Sequence, residues 1–279
     1  MNWRRLRMGL NTVLGLKQQG FFIPYRYADS VPDSRHGKAY GPVYSQMQNA
    51  EESMIRFIKG FADYSNELVS FGQEDPPAPR WKQDWFPRLD GASAYKMVRD
   101  LKPKHIIEIG SGHSTRFMMR AIKDGELNTD FTAIDPAPRA DITSLPLTLI
   151  RNTVQEAGTE PFDNLTADDI LFIDSSHIAM PGSDVDFLLL DILGGLPAGI
   201  TVHIHDIFLP HDYPDSWKWR GYNEQQLVAP LLIGGGFRLL FSSQYAVHYL
   251  KDQLENSLMN ELPIEEGAFE TSLWLRKKS

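Results

Sequence analysis

His105-Ile106-Ile107-Glu108-Ile109-Gly110-Ser111-Gly112-His113-Ser114-Thr115 decides how this chain is read. Residues 105–109 are a short β-branched run, the pattern of a buried strand, and a glycine ends it. Residues 114–123 then carry a helical pattern. Glycines at a strand-to-helix junction let the backbone turn tightly and approach a ligand closely. The free N–H groups of the helix N-terminus add an electropositive floor. A Gly-x-Gly pair alone does not name the ligand. A dinucleotide site wants a third glycine at position 115, and that position is Thr, which lowers the pyrophosphate reading.

Downstream the strand-then-helix pattern repeats. Phe131–Asp135, Leu147–Ile150, Ile170–Asp174 and Ile200–Ile207 are further apolar, β-branched runs, with a helix expected over 184–193. Phe237–Phe241 and Ser272–Arg276 look like two closing strands, separated by a helical stretch near 244–256. This alternation predicts an α/β fold, a Rossmann-like seven-stranded, mostly parallel sheet with an antiparallel C-terminal strand and helices on both faces. Two acids stand in register with the glycine loop. Glu108 directly precedes it, and Asp135 ends the second strand, where an acid meets ribose hydroxyls in nucleotide-binding sheets.

Upstream, Glu74-Asp75-Pro76-Pro77-Ala78-Pro79-Arg80 is a stiff breaker and the best boundary in the chain. It separates an N-terminal helical and extended cap, 1–80, from the α/β domain, 81–279. Within the cap a helix is expected over 43–70, with Met47, Met54, Ile55, Phe57, Ile58 and Phe61 on its apolar side. The first 28 residues contain Arg4, Arg5, Arg7, Lys17 and Arg26 and no acid. A helix over 1–18 would gather Leu6, Leu10, Val13, Leu14 and Leu16 on one side. The preferred reading is a terminal helix docked on the domain. The alternative is docking of residues 1–28 to an anionic membrane or a partner.

The net charge of −8 offers no general attraction to nucleic acid. No apolar run reaches the length of a membrane span, and the N-terminus lacks the apolar core and cleavage site of a signal peptide. With no cysteine, disulfides, thiolate nucleophiles and Cys-based zinc sites drop out together, in keeping with a cytoplasmic protein. Any metal must use His, Asp or Glu.

Glu108 through Thr115 resembles motif I of the class I S-adenosylmethionine-dependent methyltransferases. Phe172-Ile173-Asp174-Ser175-Ser176-His177 and Val202-His203-Ile204-His205-Asp206-Ile207-Phe208 are similar to a bacterial subgroup of that superfamily. The likeness covers about residues 85–279, including the closing antiparallel pair. It implies S-adenosylmethionine as cofactor. Glu108, Gly110, Ser111, Gly112 and Ser114 would stand in its loop, with Gly110 and Gly112 passing its methionine part. Asp135 would hold its ribose, and Val154 and Gln155 would lie near its adenine.

In an open α/β sheet Asp174 and Asp206 lie at one carboxyl edge beside the cofactor crevice, with His177 and His205 near them. Metal-dependent O-methyltransferases of catechols and macrolide sugars are similar in placing metal-binding acids at these two strand ends, with a general base three residues after the first. That resemblance implies Asp174, Asp206 and His205 as ligands of Mg²⁺ or another divalent cation, and His177 as base. The residue after Asp206, where those enzymes carry another ligand, is Ile207 here. The metal therefore stays open, and Asp174 has the alternative of touching the cofactor. A cation or a neutral imidazole would each make a hydroxyl a better nucleophile. The loop from Pro210 to Tyr222, rich in aromatic and charged residues, has the character of a lid over a saccharide-like or other polyhydroxylated acceptor. O-methyl transfer to such a molecule is the expected function. Two alternatives remain: a His203, His205 and Asp206 metal centre of an oxygenase or hydrolase, and a non-catalytic cofactor-binding protein.

Overall fold

The computed structural model describes residues 3–32 and 37–278. Its strands are His105–Ile109 (β1), Asp130–Ile134 (β2), Thr148–Ile150 (β3), Ile170–Ile173 (β4), Thr201–Ile204 (β5), Phe237–Ser242 (β6) and Leu273–Lys277 (β7). They form one sheet in the order β3-β2-β1-β4-β5-β7-β6. The first five are parallel, and β7 runs antiparallel between β5 and β6. Every residue of β4 and β5 is buried, as central strands covered on both faces require. The chain thus adopts the α/β, Rossmann-like, seven-stranded sheet expected from its sequence. On either side of β1 the strand order runs in opposite directions, and such a reversal opens a crevice at the carboxyl ends of the strands.

The helices preceding β2 are Trp3–Val13 (α1), Gly41–Gln48 (α2), Glu51–Lys59 (α3), Ser65–Ser70 (α4), Arg88–Leu101 (α5) and His113–Asp124 (α6). The single helix expected over 43–70 is broken into three, with a 3₁₀ turn at Gly60–Tyr64. The breaks let separate faces meet the helix that follows β6 and the sheet. Tyr44 packs near Tyr245 and Tyr249, while Phe57 reaches Phe241 at 4.7 Å between ring centroids. Residues from Val43 onward share one continuous apolar core with the sheet. The stretch expected as one helix near 244–256 is two, Ser243–Tyr249 and Lys251–Glu255. The helical stretch after Ser183 runs from Asp184 to Gly195 through a π turn over Phe187–Ile192. β5 stops at Ile204, short of the expected Ile207, and Asp206 adopts φ +54°, which takes the chain out of the extended ladder.

α1 lies against the domain only through its less apolar side. None of its residues is buried, and Trp3, Leu6, Leu10 and Val13 are exposed. Residues 1 and 2 of the helix expected over 1–18 lie outside the described residues. Among the described residues no helix is long and apolar enough to cross a membrane.

α5 was not anticipated from the sequence, because Gly91, Ala92, Ser93 and Ala94 blur its apolar period. It packs on α6, and the crossing needs Gly91: a Cβ there would lie 2.7 Å from the Phe117 ring. Gly91→Ala should therefore overpack the crossing and destabilise the protein by about 1–3 kcal/mol, despite alanine's better helix propensity. Denaturant melts check this, and a variant as stable as the parent would show that Phe117 repacks freely.

Candidate active site

The loop leaving β1 is held by backbone contact and five side chains. Gly110 has φ +75°, and a Cβ on it would stand 2.2 Å from the carbonyl oxygen of Asp174, so no other residue fits without moving the end of β4. The Gly110 N–H donates to the Ile134 carbonyl and the Asp174 N–H to that of Ile109, which locks three strand ends together. Asp135 Oδ2 accepts from the Ser111 N–H (2.7 Å) and hydroxyl (3.0 Å). Glu108, wholly buried, accepts from the hydroxyls of Ser114 and Thr115, each at 2.6 Å. Thr115 Oγ1 also accepts the Gly112 N–H, so α6 begins under a cap. Beside Gly112 there is open space, Ala140 being the nearest neighbour a Cβ would meet at 4.0 Å. Burial raises the Glu108 carboxyl to about 8, with the nearby Asp174 and Asp135 charges adding to the rise against the two hydroxyl bonds. Val154 is buried, and the Gln155 amide donates to the Gly182 carbonyl.

Past β4 and β5 the structure brings together the other sequence-predicted residues. His177 Nε2 lies 3.3 Å from Asp174 Oδ1 and 3.4 Å from Asp206 Oδ2. His205 Nδ1 lies 3.6 Å from Asp174 and 3.5 Å from Asp206. Two further acids complete the cluster. Glu224 Oε2 is 2.8 Å from His177 Nδ1, and Asp90 Oδ2 is 3.4 Å from His205 Nε2; both acids are fully buried. Burial by itself would lower the pKa of each imidazole, but the surrounding carboxylates outweigh it and raise both well above 6.5. Burial likewise opposes ionisation of Asp174, yet the two histidines hold its carboxyl below the usual carboxylate range. His177 is only 4% exposed. Carboxylates distant in sequence converge on it and favour its protonated form.

The cluster forms the floor of an open cleft of about 750 Å³, including the solvent at its mouth. One wall comes from the expected lid: Trp217, Arg220 and Tyr222, with Tyr222 packed on the His177 ring at 4.6 Å. Arg220 stacks over Trp217 at 4.2 Å and donates to the Tyr222 hydroxyl. The other wall, Asp84, Trp85 and Arg139, was missed in the sequence, as were Glu224 and Asp90. Arg139 sits over Trp85 at 4.6 Å, a pairing across more than 50 positions that no local pattern signals. Buried Arg220 Nε has no hydrogen-bond partner among the described residues.

A divalent cation needs several donors about 2.0–2.6 Å from one point, with histidine ligands deprotonated. Among the described residues no three His, Asp or Glu side chains are so placed. Asp174, Asp206 and His205 instead pair with one another and with His177, and His205 favours its protonated form. The donor set expected for a metal does not fit one in this arrangement. His203 does share a face with His205, but it is fully buried, stacked on Phe172 at 3.7 Å and 2.8 Å from the Ser272 hydroxyl. It is a core histidine, and no His203–His205–Asp206 centre forms.

Residues 107–207 match the family model of a methyltransferase domain, a span from β1 to just beyond β5. No curated protein sequence matches the chain. Among solved structures, the chain is similar to the S-adenosylhomocysteine-bound methyltransferase PaMTH1 of Podospora anserina. Identity is 14%, coverage 93% of this chain and 100% of that one, and the TM-score 0.45. It is also similar to apo CmcI, at 16% identity, 68% and 71% coverage and TM-score 0.42. A third similar structure is the plantazolicin methyltransferase BpumL with a pentazolic desmethylPZN analog and S-adenosylhomocysteine, at 14% identity, 84% and 100% coverage and TM-score 0.41. At identities and scores this low, the strand order itself carries the fold assignment.

The raised Glu108 pKa has a consequence for stability. Between the ordinary value of 4.5 and about 8 the folded state keeps a proton that the unfolded state releases. Its contribution is therefore complete below 4.5 and lost as pH rises through about 8, with a slope of at most about 1.4 kcal/mol per pH unit. Glu108→Gln should flatten that part of the stability profile in urea melts. An unchanged slope would assign it to other groups.

Proposed function

We propose that this chain, which carries a methyltransferase domain of the class I S-adenosylmethionine-dependent superfamily, transfers the methyl group to a hydroxyl of a saccharide-like, polyhydroxylated small molecule. The observation that carries this reading is the double position of Asp174. Its backbone packs against Gly110 of the glycine loop, while its side chain lines the cleft with His177. Donor loop and acceptor cleft thus share one strand end.

The loop suits S-adenosylmethionine: open space beside Gly112, the capped start of α6, and Asp135 at the end of β2. Gly110, Ser111, Gly112, Ser114, Glu108, Asp135 and Asp174 would hold it. When bound, this cofactor supplies a methyl group on a sulfonium that needs no further activation. The chain's own residues then have to bind, orient and deprotonate the acceptor. Trp85, Trp217 and Tyr222 offer flat apolar faces to sugar C–H groups, and Asp84, Asp206 and the unpaired Arg220 Nε offer partners to hydroxyls.

His177 is the base in this reading. Glu224 at Nδ1, itself bonded to the Ser175 hydroxyl, fixes the ring and leaves Nε2 facing Asp174 and Asp206. The acceptor hydroxyl would give its proton to Nε2 as its oxygen takes the methyl group that the bound cofactor would supply. The imidazole must first have lost the proton that the carboxylates favour, so the active form grows as pH rises.

Turnover, followed as S-adenosylhomocysteine release with hydroxylated acceptors, should accordingly climb with pH through a midpoint well above 6.5. His177→Gln should lower kcat by roughly 10²–10⁴-fold and flatten that limb while leaving S-adenosylhomocysteine affinity unchanged. Near-normal turnover in the variant, or joint loss of cofactor binding and thermal stability, would make His177 structural. Asp135→Ala should weaken cofactor binding by about 1.5–3 kcal/mol in calorimetry. Wild-type protein that binds NAD and not S-adenosylhomocysteine would overturn the cofactor reading.

A further inference from the structure

We infer that the N-terminal segment lies on an anionic membrane surface, with α1 in the plane of the headgroups. On helical spacing Trp3, Leu6, Leu10 and Val13 fall on one side of α1. All four are exposed, from 37% at Leu6 to 77% at Trp3. The other side carries the half-buried Met8, Asn11 and Thr12, and Met8 and Thr12, with Arg4, Arg5 and the edge of Val13, line a groove against Ile178, Met180 and Trp219. The helix therefore touches the protein with its less apolar side and turns Trp3, Leu6 and Leu10 outward. A helix held by the hydrophobic effect of its own domain would do the reverse.

The exposed apolar surface continues past the helix. Leu14 and Leu16, then Phe21, Phe22, Ile23, Tyr25 and Tyr27 are all more than half exposed. So large a patch on one segment marks an interaction site.

Charge identifies what covers it. Arg7, Lys17 and Arg26 are exposed, and no acid occurs in the first 28 residues of a chain whose net charge is −8. Arg7 borders the apolar side, whereas Arg4 and Arg5 lie on the side that faces the groove under the helix. Apolar residues with aromatic rings, bordered by cations alone, match the boundary between acyl chains and phosphate headgroups. Aromatic rings favour that depth, and Arg and Lys are drawn to anionic lipids. The same surface adjoins the cleft, because Arg220 lines both the groove under α1 and the cleft wall. Docking would bring the mouth of the cleft to the bilayer.

The test is flotation of the full chain with vesicles of phosphatidylcholine containing about 30% phosphatidylglycerol, against pure phosphatidylcholine, at low salt and at about 0.5 M NaCl. Binding to the anionic vesicles at low salt is expected, at least ~10-fold weaker on the neutral vesicles and in high salt. Leu6→Glu with Leu10→Glu should remove binding by a further ~10-fold or more, because both residues leave the interface, while S-adenosylhomocysteine affinity and thermal midpoint stay as in the parent. No flotation with anionic vesicles at low salt, or binding indifferent to the Leu6 and Leu10 substitutions, overturns the proposal. So does a dimer in sedimentation velocity that those substitutions dissociate, which would make a second copy the occupant. If the double variant does not fold, the lipid and salt dependence of the parent decides alone.

Discussion

The carbonyl oxygen of Asp174 stands where a side chain on residue 110 would begin. Much of the molecule follows from that contact. β1 and β4 are neighbours at the point where the strand order reverses, so their ends can come this close only if one lacks a Cβ. The approach aims the loop from Ser111 to Thr115 over the crevice. It also fixes the backbone from which the Asp174 carboxylate reaches His177 and His205. Glu108 and Asp135 then brace the loop from below and beside, each through hydroxyls or amides that the loop itself supplies.

The cluster at the floor of the cleft is an electrostatic unit. Two imidazoles and four carboxylates stand within 3.6 Å contacts of one another, drawn from α5, the ends of β4 and β5, and the residue before the helix Gln225–Ile233. Any one of these buried charges would be costly alone. Together they are compensated, and removing a partner would leave the others exposed to that cost. Asp90 shows how the cluster is tied to the fold. Its oxygens accept the N–H groups of Thr271 and Ser272 at the entry to β7, so the antiparallel strand pair and His205 are held by the same carboxylate.

The walls of the cleft combine rigidity with open chemistry. Trp217 packs edge-on to Phe208, Tyr222 and Phe269, and Arg220 stacks over the aromatic group it helps to fix. Flat apolar faces and charged groups then alternate around a polar floor, the pattern expected where a ligand presents both C–H and O–H surfaces.

By itself the sequence determined what depends on near neighbours along the chain. Buried β-branched runs, the glycine junction at 110–112 and the closing strands at 237–242 and 273–277 are local patterns, and each appears in the sheet within a few residues of its expected place. Asp174, His177, His205 and Asp206 were legible as neighbours because strand ends in a parallel sheet share one edge. What surrounds them was not. Glu224 lies 47 residues from His177, and Asp90 lies in a helix whose period glycine and serine obscure. Only their convergence in space favours the protonated form of the imidazole and sets the acids to pairing with histidine. The same division holds at α1, whose two faces are written in its sequence. Which of them meets the protein was decided by the tertiary structure, because periodicity records a helix's faces and only packing chooses between them.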